Sequence, residues 1–171
     1  GFFKGDFGQY FTPRPIIEFA VKMTAPEHDW DVLDTSCGSG GFLLYALDYI
    51  RHQATEYYEK GSADHYRYWH DFAEKHLYGI EINDFAVTVA KTALWIAESQ
   101  MMKETEDIVH MNLDFLPLTT NAFIVEGNSL QIDWESVVPK YQVSYIMGNP
   151  PFVGARVMSS EQKDDVKEIF Q

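Results

Sequence analysis

The chain has 171 residues, of which 46% are hydrophobic, 15% aromatic and 23% charged, a composition that fits one globular domain and excludes disorder. Thirteen Lys and Arg stand against 26 Asp and Glu, a formal charge of −13. That balance argues against a free-standing nucleic-acid binder, whose affinity comes mostly from neutralising phosphates, and any DNA reading must account for it.

No run of eighteen apolar residues is present, so no membrane span is expected. Gly1 to Asp6 lacks the charged, apolar, small order of a signal peptide. One cysteine, Cys37, excludes an internal disulfide and a cysteine-based zinc cluster, and the cytoplasm is the expected compartment.

In chain order, Pro15 to Met23 reads as a short helix with Ile16, Ile17, Ala20 and Val21 on one side and Thr12 as its cap. Asp31 to Asp34 is a short buried strand closed by Gly38-Ser39-Gly40-Gly41, and a helix follows from about Phe42 to Arg51. Gln53 to His76 mixes Tyr57, Tyr58, Tyr66, Tyr68 and Trp69 with charges. A nucleic-acid stacking surface is one reading, but Lys and Arg are few, and an amphipathic helix covering a sheet is the expectation. His65 and His70 are expected at its surface. Leu77 to Ile82 is a second strand. Asn83 to Glu98 is a helix, with Ala86, Ala90, Ala93, Leu94 and Ala97 on one stripe. Ala122 to Glu126 and Val143 to Met147 are a third and a fourth strand, and Ser160 to Phe170 is an exposed helix capped by Ser159 or Ser160.

Four constellations carry chemistry. In Asp34-Thr35-Ser36-Cys37-Gly38-Ser39-Gly40-Gly41, a strand ends in an acid and a glycine-rich turn opens a helix, as a nucleotide-type site requires. The turn has neither the G-x-G-x-x-G spacing of a dinucleotide site nor the Gly-Lys-Ser/Thr of a polyphosphate loop. Glu81, with Ile82 beside it, ends the second strand, where an acid can accept both hydroxyls of a ribose. It lies 47 residues past Asp34, against about 20 in a dinucleotide site, and the aromatic segment accounts for the excess. Gly127-Asn128-Ser129 follows the third strand, and the Asn128 amide can serve as donor and acceptor to an adenine edge or simply form a turn. Asn149-Pro150-Pro151-Phe152 follows the fourth strand. Two prolines fix the backbone, so that the Asn149 oxygen and a carbonyl form a rigid cup of acceptors suited to a planar –NH₂, with Phe152 as a stacking face. The histidines show no metal-binding spacing, and no metal is expected.

On these residues the chain resembles class I, S-adenosylmethionine-dependent DNA adenine-N6 methyltransferases. Gly8-Gln9-Tyr10-Phe11-Thr12-Pro13 is similar to their N-terminal cofactor motif, Asp34 to Phe42 to the methionine-binding loop, Glu81 to the ribose acid, and Asn149 to Phe152 to the catalytic motif. The motif order is similar to the gamma group, and Met147 to Arg156 looks like the MmeI-like branch of restriction–modification enzymes.

Right-handed crossovers put the first and fourth strands side by side, which predicts a three-layer α/β fold with a parallel sheet in the order 3-2-1-4, the Rossmann-like fold that the resemblance also implies. The resemblance implies cofactor contacts from Tyr10, Thr12, Asp34, Ser36, Cys37, Gly38, Gly40, Glu81, Ile82, Asn128, Ser129 and Asn149, and catalysis by Asn149, Pro150, Pro151 and Phe152. The family's later strands and target-recognition domain have no counterpart, so residues 1–171 are expected to be the N-terminal part of a methyltransferase domain, weakly active or inactive alone, with double-stranded DNA bound elsewhere in a longer protein. The rival readings are a methyltransferase acting on protein glutamine or cytosine N4, and a non-catalytic cofactor-binding or assembly module.

Overall fold

The structure is a computed structural model, and it describes residues 11–110, 123–151, 154 and 156–169. Chain order is α1 (Arg14–Thr24), β1 (Asp31–Asp34), α2 (Gly41–Tyr57), α3 (Ala63–Lys75), β2 (Leu77–Glu81), α4 (Asp84–Val109), β3 (Phe123–Glu126), a 3-10 turn at Trp134–Ser136, β4 (Val143–Ile146) and α5 (Ser160–Ile169). The four strands form one parallel sheet in the order β3-β2-β1-β4, as expected. Parallel strands need covered crossovers, which explains why β1, β2 and β3 are short and each is followed by a long connection.

Alternation along the strands sorts side chains to two faces. Val32, Leu77 and Ile124 join the main core with Leu43, Leu47, Ile50, Trp69, Phe72, Ala90 and Leu94 of α2, α3 and α4. Leu33 and Ile80 point the other way and meet Val138, Ile132 and Val137, so among the described residues the third layer is the connection of residues 128–139. No helix is long and apolar enough to cross a membrane among the described residues.

Several expectations shift in detail. Ile17 and Val21 of α1 are buried, but Ile16 is 56% exposed. The N-cap of α1 is Pro13, whose carbonyl accepts from the Ile16 and Ile17 amides, so Thr12 is not the cap. The segment Gln53 to His76 is not one helix. α2 runs on to Tyr57, because nothing in Gln53-Ala54-Thr55-Glu56 stops it, and the chain turns at Gly61 (φ 87°) before α3. α3 is amphipathic and its aromatics pack against protein: Tyr68 stacks on His28, which precedes β1, and Tyr66 meets Trp69 edge-on. His65 is buried rather than at the surface, because it shares the inward face of α3 with Trp69, Phe72 and Ala73. His70 is half-buried between Glu74 and Glu98. α4 extends eleven residues beyond Glu98 since Asp84–Val109 contains neither Gly nor Pro. Ser159 caps α5 in a reciprocal pair, accepting from the Gln162 amide while Gln162 Oε1 accepts from the Ser159 amide. Ala122 and Phe170 lie outside the described residues.

Trp69 is fully buried where α3 meets the core. Trp69→Ala should lower the unfolding free energy by about 3–5 kcal/mol, whereas Phe19→Ala, on the exposed face of α1, should stay within about 0.5 kcal/mol. Urea midpoints at constant slope check both values.

Candidate active site

All four strands run the same way, so their carboxyl ends and the loops leaving them gather at one edge of the sheet. Asp34 pairs in register with Gly79 of β2, and the Met147 amide donates to the Leu33 carbonyl. This brings the residues after β4 alongside the end of β1, and the sites read from separate stretches of sequence become neighbours.

The Glu81 carboxylate is the strut of this edge. Its Oε2 accepts from the Gly38 amide at 2.8 Å and its Oε1 from the Asn83 amide at 2.9 Å. One side chain thereby ties the glycine turn to β2 and to the start of α4, whose first turn is capped by Asn83 through the Ala86 amide. Gly38 (φ 52°) and Gly40 (φ 83°) both adopt left-handed backbone, and a Cβ on Gly40 would lie 3.2 Å from that of Ala90, so glycine is required on both counts. Gly40 caps α2 without a side-chain bond, leaving the first-turn amides of α2 directed toward the site.

Asp34 is buried and accepts from the Ser36 amide at 3.0 Å. Loss of hydration pushes its carboxyl up to about 7; the Ser36 amide opposes this, and the negative charge of Glu81 adds to it. No cation pairs with Asp34 or Glu81 among the described residues. The Ser36 hydroxyl oxygen is also buried without a partner among those residues. Cys37 turns inward: its Sγ lies against Gly79, where an added Cβ would be 3.0 Å away, and burial pushes its thiol up. Only the backbone of Cys37 is left to face a ligand. Ile82, by contrast, is 66% exposed and presents an apolar face beside Glu81.

Asn128 is less free than its sequence position suggests. Its Oδ1 accepts from the Leu130 amide at 3.0 Å, and its Nδ2 donates to Asp165 of α5 at 2.9 Å. Gln131 donates to the other oxygen of Asp165, also at 2.9 Å. The Ser129 carbonyl accepts from the Trp134 indole. Sequence patterning gave no signal for the Asp165 fork, since residues 34 and 37 apart carry no periodic relation.

Gly148, Asn149, Pro150 and Pro151 are exposed and follow β4 directly. Gly148 lies so close to Asp34 that an added Cβ would be 2.4 Å from Oδ1, a contact that the motif alone does not reveal. Asn149 donates from Nδ2 to Thr12 Oγ1 at 3.2 Å, and its Oδ1 has no hydrogen-bond partner among the described residues. Thr12, Asp34, Ser36, Gly38, Gly40, Glu81, Ile82 and Asn149 are therefore brought together around the carboxyl edge. Tyr10 and Phe152 lie outside the described residues. Elsewhere, His70, Asp71 and Glu74 bring ligand-type atoms within 4.8 Å of one another, as one turn of α3 dictates, away from this edge.

The sequence matches the model of the family described as "MmeI, DNA-methyltransferase domain" over residues 18–171. It is 36% identical over 142 residues to DNA methyltransferase A of Bacillus subtilis (strain 168), covering 80% of this chain and 16% of that protein. It is 26% identical over 166 residues to the type I restriction enzyme EcoEI methylase subunit of Escherichia coli, covering 97% of this chain and 26% of that one. Among solved structures it is similar to the type IIL restriction–modification enzyme MmeI in complex with DNA, with a TM-score of 0.70 and 26% identity over 92% of this chain and 21% of that one. The type I restriction enzyme EcoKI M protein matches with a TM-score of 0.59 and 25% identity over 86% of this chain and 26% of that one. The chain thus spans about a quarter or less of the length of these relatives.

Two outcomes follow from the geometry. The folded protein holds the Asp34 proton up to about pH 7, whereas the unfolded chain releases it near its ordinary 3.8. The contribution of this group to stability therefore falls as pH rises between those values and is level above them. Asp34→Asn keeps an oxygen for the Ser36 amide and removes the buried charge. It should stabilise the protein on the order of 4 kcal/mol at pH 8 and make little difference near pH 4. Equal effects at both pH values in denaturant titrations would contradict the shift. Gly148→Ala should cost about 1–3 kcal/mol through its contact with Asp34, and most of that cost should vanish in an Asp34→Ala background. Additive losses in the double variant would show that the contact is not the cause.

Proposed function

The chain belongs to the MmeI DNA-methyltransferase domain family, and from that premise we propose that it carries the cofactor site and catalytic motif of an enzyme methylating adenine N6 in DNA with S-adenosylmethionine. The observation that carries the reading is Asn149. It is exposed just past the end of β4, next to the loop of β1, with its amide nitrogen engaged by Thr12 and two prolines fixing the backbone after it.

The residues at the sheet edge fit the cofactor. Among the described residues, a buried carboxyl without a cation, an unpartnered buried hydroxyl on Ser36 and open helix amides are the partners that a zwitterionic, cationic ligand with a ribose diol requires. Asp34, Ser36, Gly38 and Gly40 would hold its amino-acid end. Glu81 would hold the ribose, using the lone pairs left by its two amide bonds. Ile82 would pack on the adenine, with Asn128 and Ser129 at its edge once Asp165 yields. When bound, S-adenosylmethionine supplies an electrophilic methyl group on a sulfonium.

An adenine within a duplex cannot reach this edge, so it must be flipped out. Its N6 is a poor nucleophile because the lone pair is delocalised into the ring. Asn149 Oδ1 and the Pro150 carbonyl accept its two hydrogens and favour a more pyramidal nitrogen. These bonds strengthen as N6 gains positive charge, so they act on the transition state rather than on binding. Pro151 holds the cup rigid, and the resemblance gives Phe152 the role of a stacking face for the base. No general base is needed, since the alkylated nitrogen is acidic and its proton passes to water.

The names of the relatives support DNA over protein glutamine as the substrate. A cytosine-N4 enzyme more often carries Ser in place of Asn149. With a charge of −13, this segment is not the source of phosphate contacts. The reading assigns double-stranded DNA binding to other parts of a longer protein, working in the cytoplasm.

In the full-length protein, Asn149→Ala should lower the single-turnover methylation rate on the order of 10²–10³-fold while leaving cofactor affinity nearly unchanged. Rapid-quench methylation and calorimetry measure the two separately. A near-normal rate would end the assignment of this motif.

A further inference from the structure

Asn149 must present oxygen, not nitrogen, to an incoming amine. The two ends of an asparagine amide are nearly identical in shape, and a half-turn about the terminal torsion exchanges an acceptor for two donors. That torsion is broad and roughly two-fold, so Pro150 and Pro151 fix the backbone without choosing between the two orientations. A donor turned toward the N6 hydrogens would repel them. The choice has to come from a group that binds the nitrogen end.

The Thr12 hydroxyl fills this part when its own proton points away from Asn149, since a hydroxyl can donate as well as accept. Asn149 Nδ2 donates to Thr12 Oγ1 at 3.2 Å, at the outer end of the ordinary range. No other bond to this amide is found among the described residues. The Thr12 hydroxyl is available because it does not cap α1. Pro13 takes that position and its carbonyl accepts from the Ile16 and Ile17 amides. The rigid φ of Pro13 and the packing of α1 on α2, where Ile17 lies against Gly41, hold Thr12 at the sheet edge. A residue 137 positions upstream thus holds the nitrogen end of Asn149.

Building on the reading of Asn149 above, we propose that Thr12 is a positioning residue for methyl transfer: its Oγ1 binds Asn149 Nδ2 and so turns Asn149 Oδ1 toward the amine of the substrate base. This role differs from a contact to the cofactor, because it acts through Asn149 and governs the chemical step when cofactor is saturating.

The test uses the full-length protein. Thr12→Val keeps the shape and removes the acceptor; Thr12→Ser keeps the acceptor. At saturating S-adenosylmethionine, Thr12→Val should lower the single-turnover rate about three- to tenfold, the ordinary effect of one neutral hydrogen bond, while Thr12→Ser stays within about twofold. In an Asn149→Ala background, Thr12→Val should cause no further loss. Independently of activity, the Asn149 side-chain amide resonance, identified by its absence in Asn149→Ala, should shift in Thr12→Val and not in Thr12→Ser. Three results would overturn the proposal: a normal rate in Thr12→Val beside a crippled Asn149→Ala, equal loss in Val and Ser variants, or a loss confined to cofactor affinity. A near-normal rate in Asn149→Ala would instead remove the catalytic reading itself, and this proposal with it.

Discussion

Two carboxylates, Asp34 and Glu81, end adjacent parallel strands, and both are buried with only backbone amides to answer them among the described residues. Burying like charges side by side is costly, and the cost explains much of the local architecture. Glu81 meets it by accepting from amides on both flanks, which fixes the glycine turn to the start of α4. Asp34 meets it less completely, so burial and the neighbouring charge raise its carboxyl to about 7. A ligand that brings positive charge to this edge, as the proposed cofactor does, would relieve the tension.

The same edge explains why small residues cluster where they do. Gly148 exists as glycine because Asp34 Oδ1 occupies the place of its Cβ, and Gly79 because Cys37 Sγ sits above it. These contacts set the distance between the loop after β1 and the motif after β4. Acid, strut and Asn149 are therefore parts of one packed unit. Changing Glu81 alone removes a possible ribose partner and the anchor of Gly38 together, so its two roles cannot be separated by that substitution.

The strands and the strand order were legible because each strand is a short apolar run ending in a turn, and right-handed crossovers leave few topologies. The placement of Asp34, the glycine turn, Glu81 and Asn149 at one edge was legible because parallel strands bring their carboxyl ends together. The lengths of α2 and α4 were underestimated, since the polar residues past Arg51 and Glu98 are good helix formers that no Gly or Pro interrupts. Other features depend on chain-distant contacts that no periodicity encodes. Thr12 reads as a cap, but Pro13 takes that place and the Thr12 hydroxyl accepts from Asn149; Asn128 forms the turn that was one of its two readings, and Asp165 also holds its nitrogen; His65 reads as exposed, but it lies on the buried face of α3.

The central claim is that Asp34 and Glu81 form the seat of a cationic cofactor. Titration calorimetry of S-adenosylmethionine at pH 6, in buffers of different ionisation enthalpy, tests it most directly. A positive charge bound beside Asp34 should drive its proton off, releasing close to one proton per cofactor at pH 6, little above pH 8, and none from this site in Asp34→Asn. Binding with no proton release at pH 6, or release unchanged in Asp34→Asn, would contradict the account.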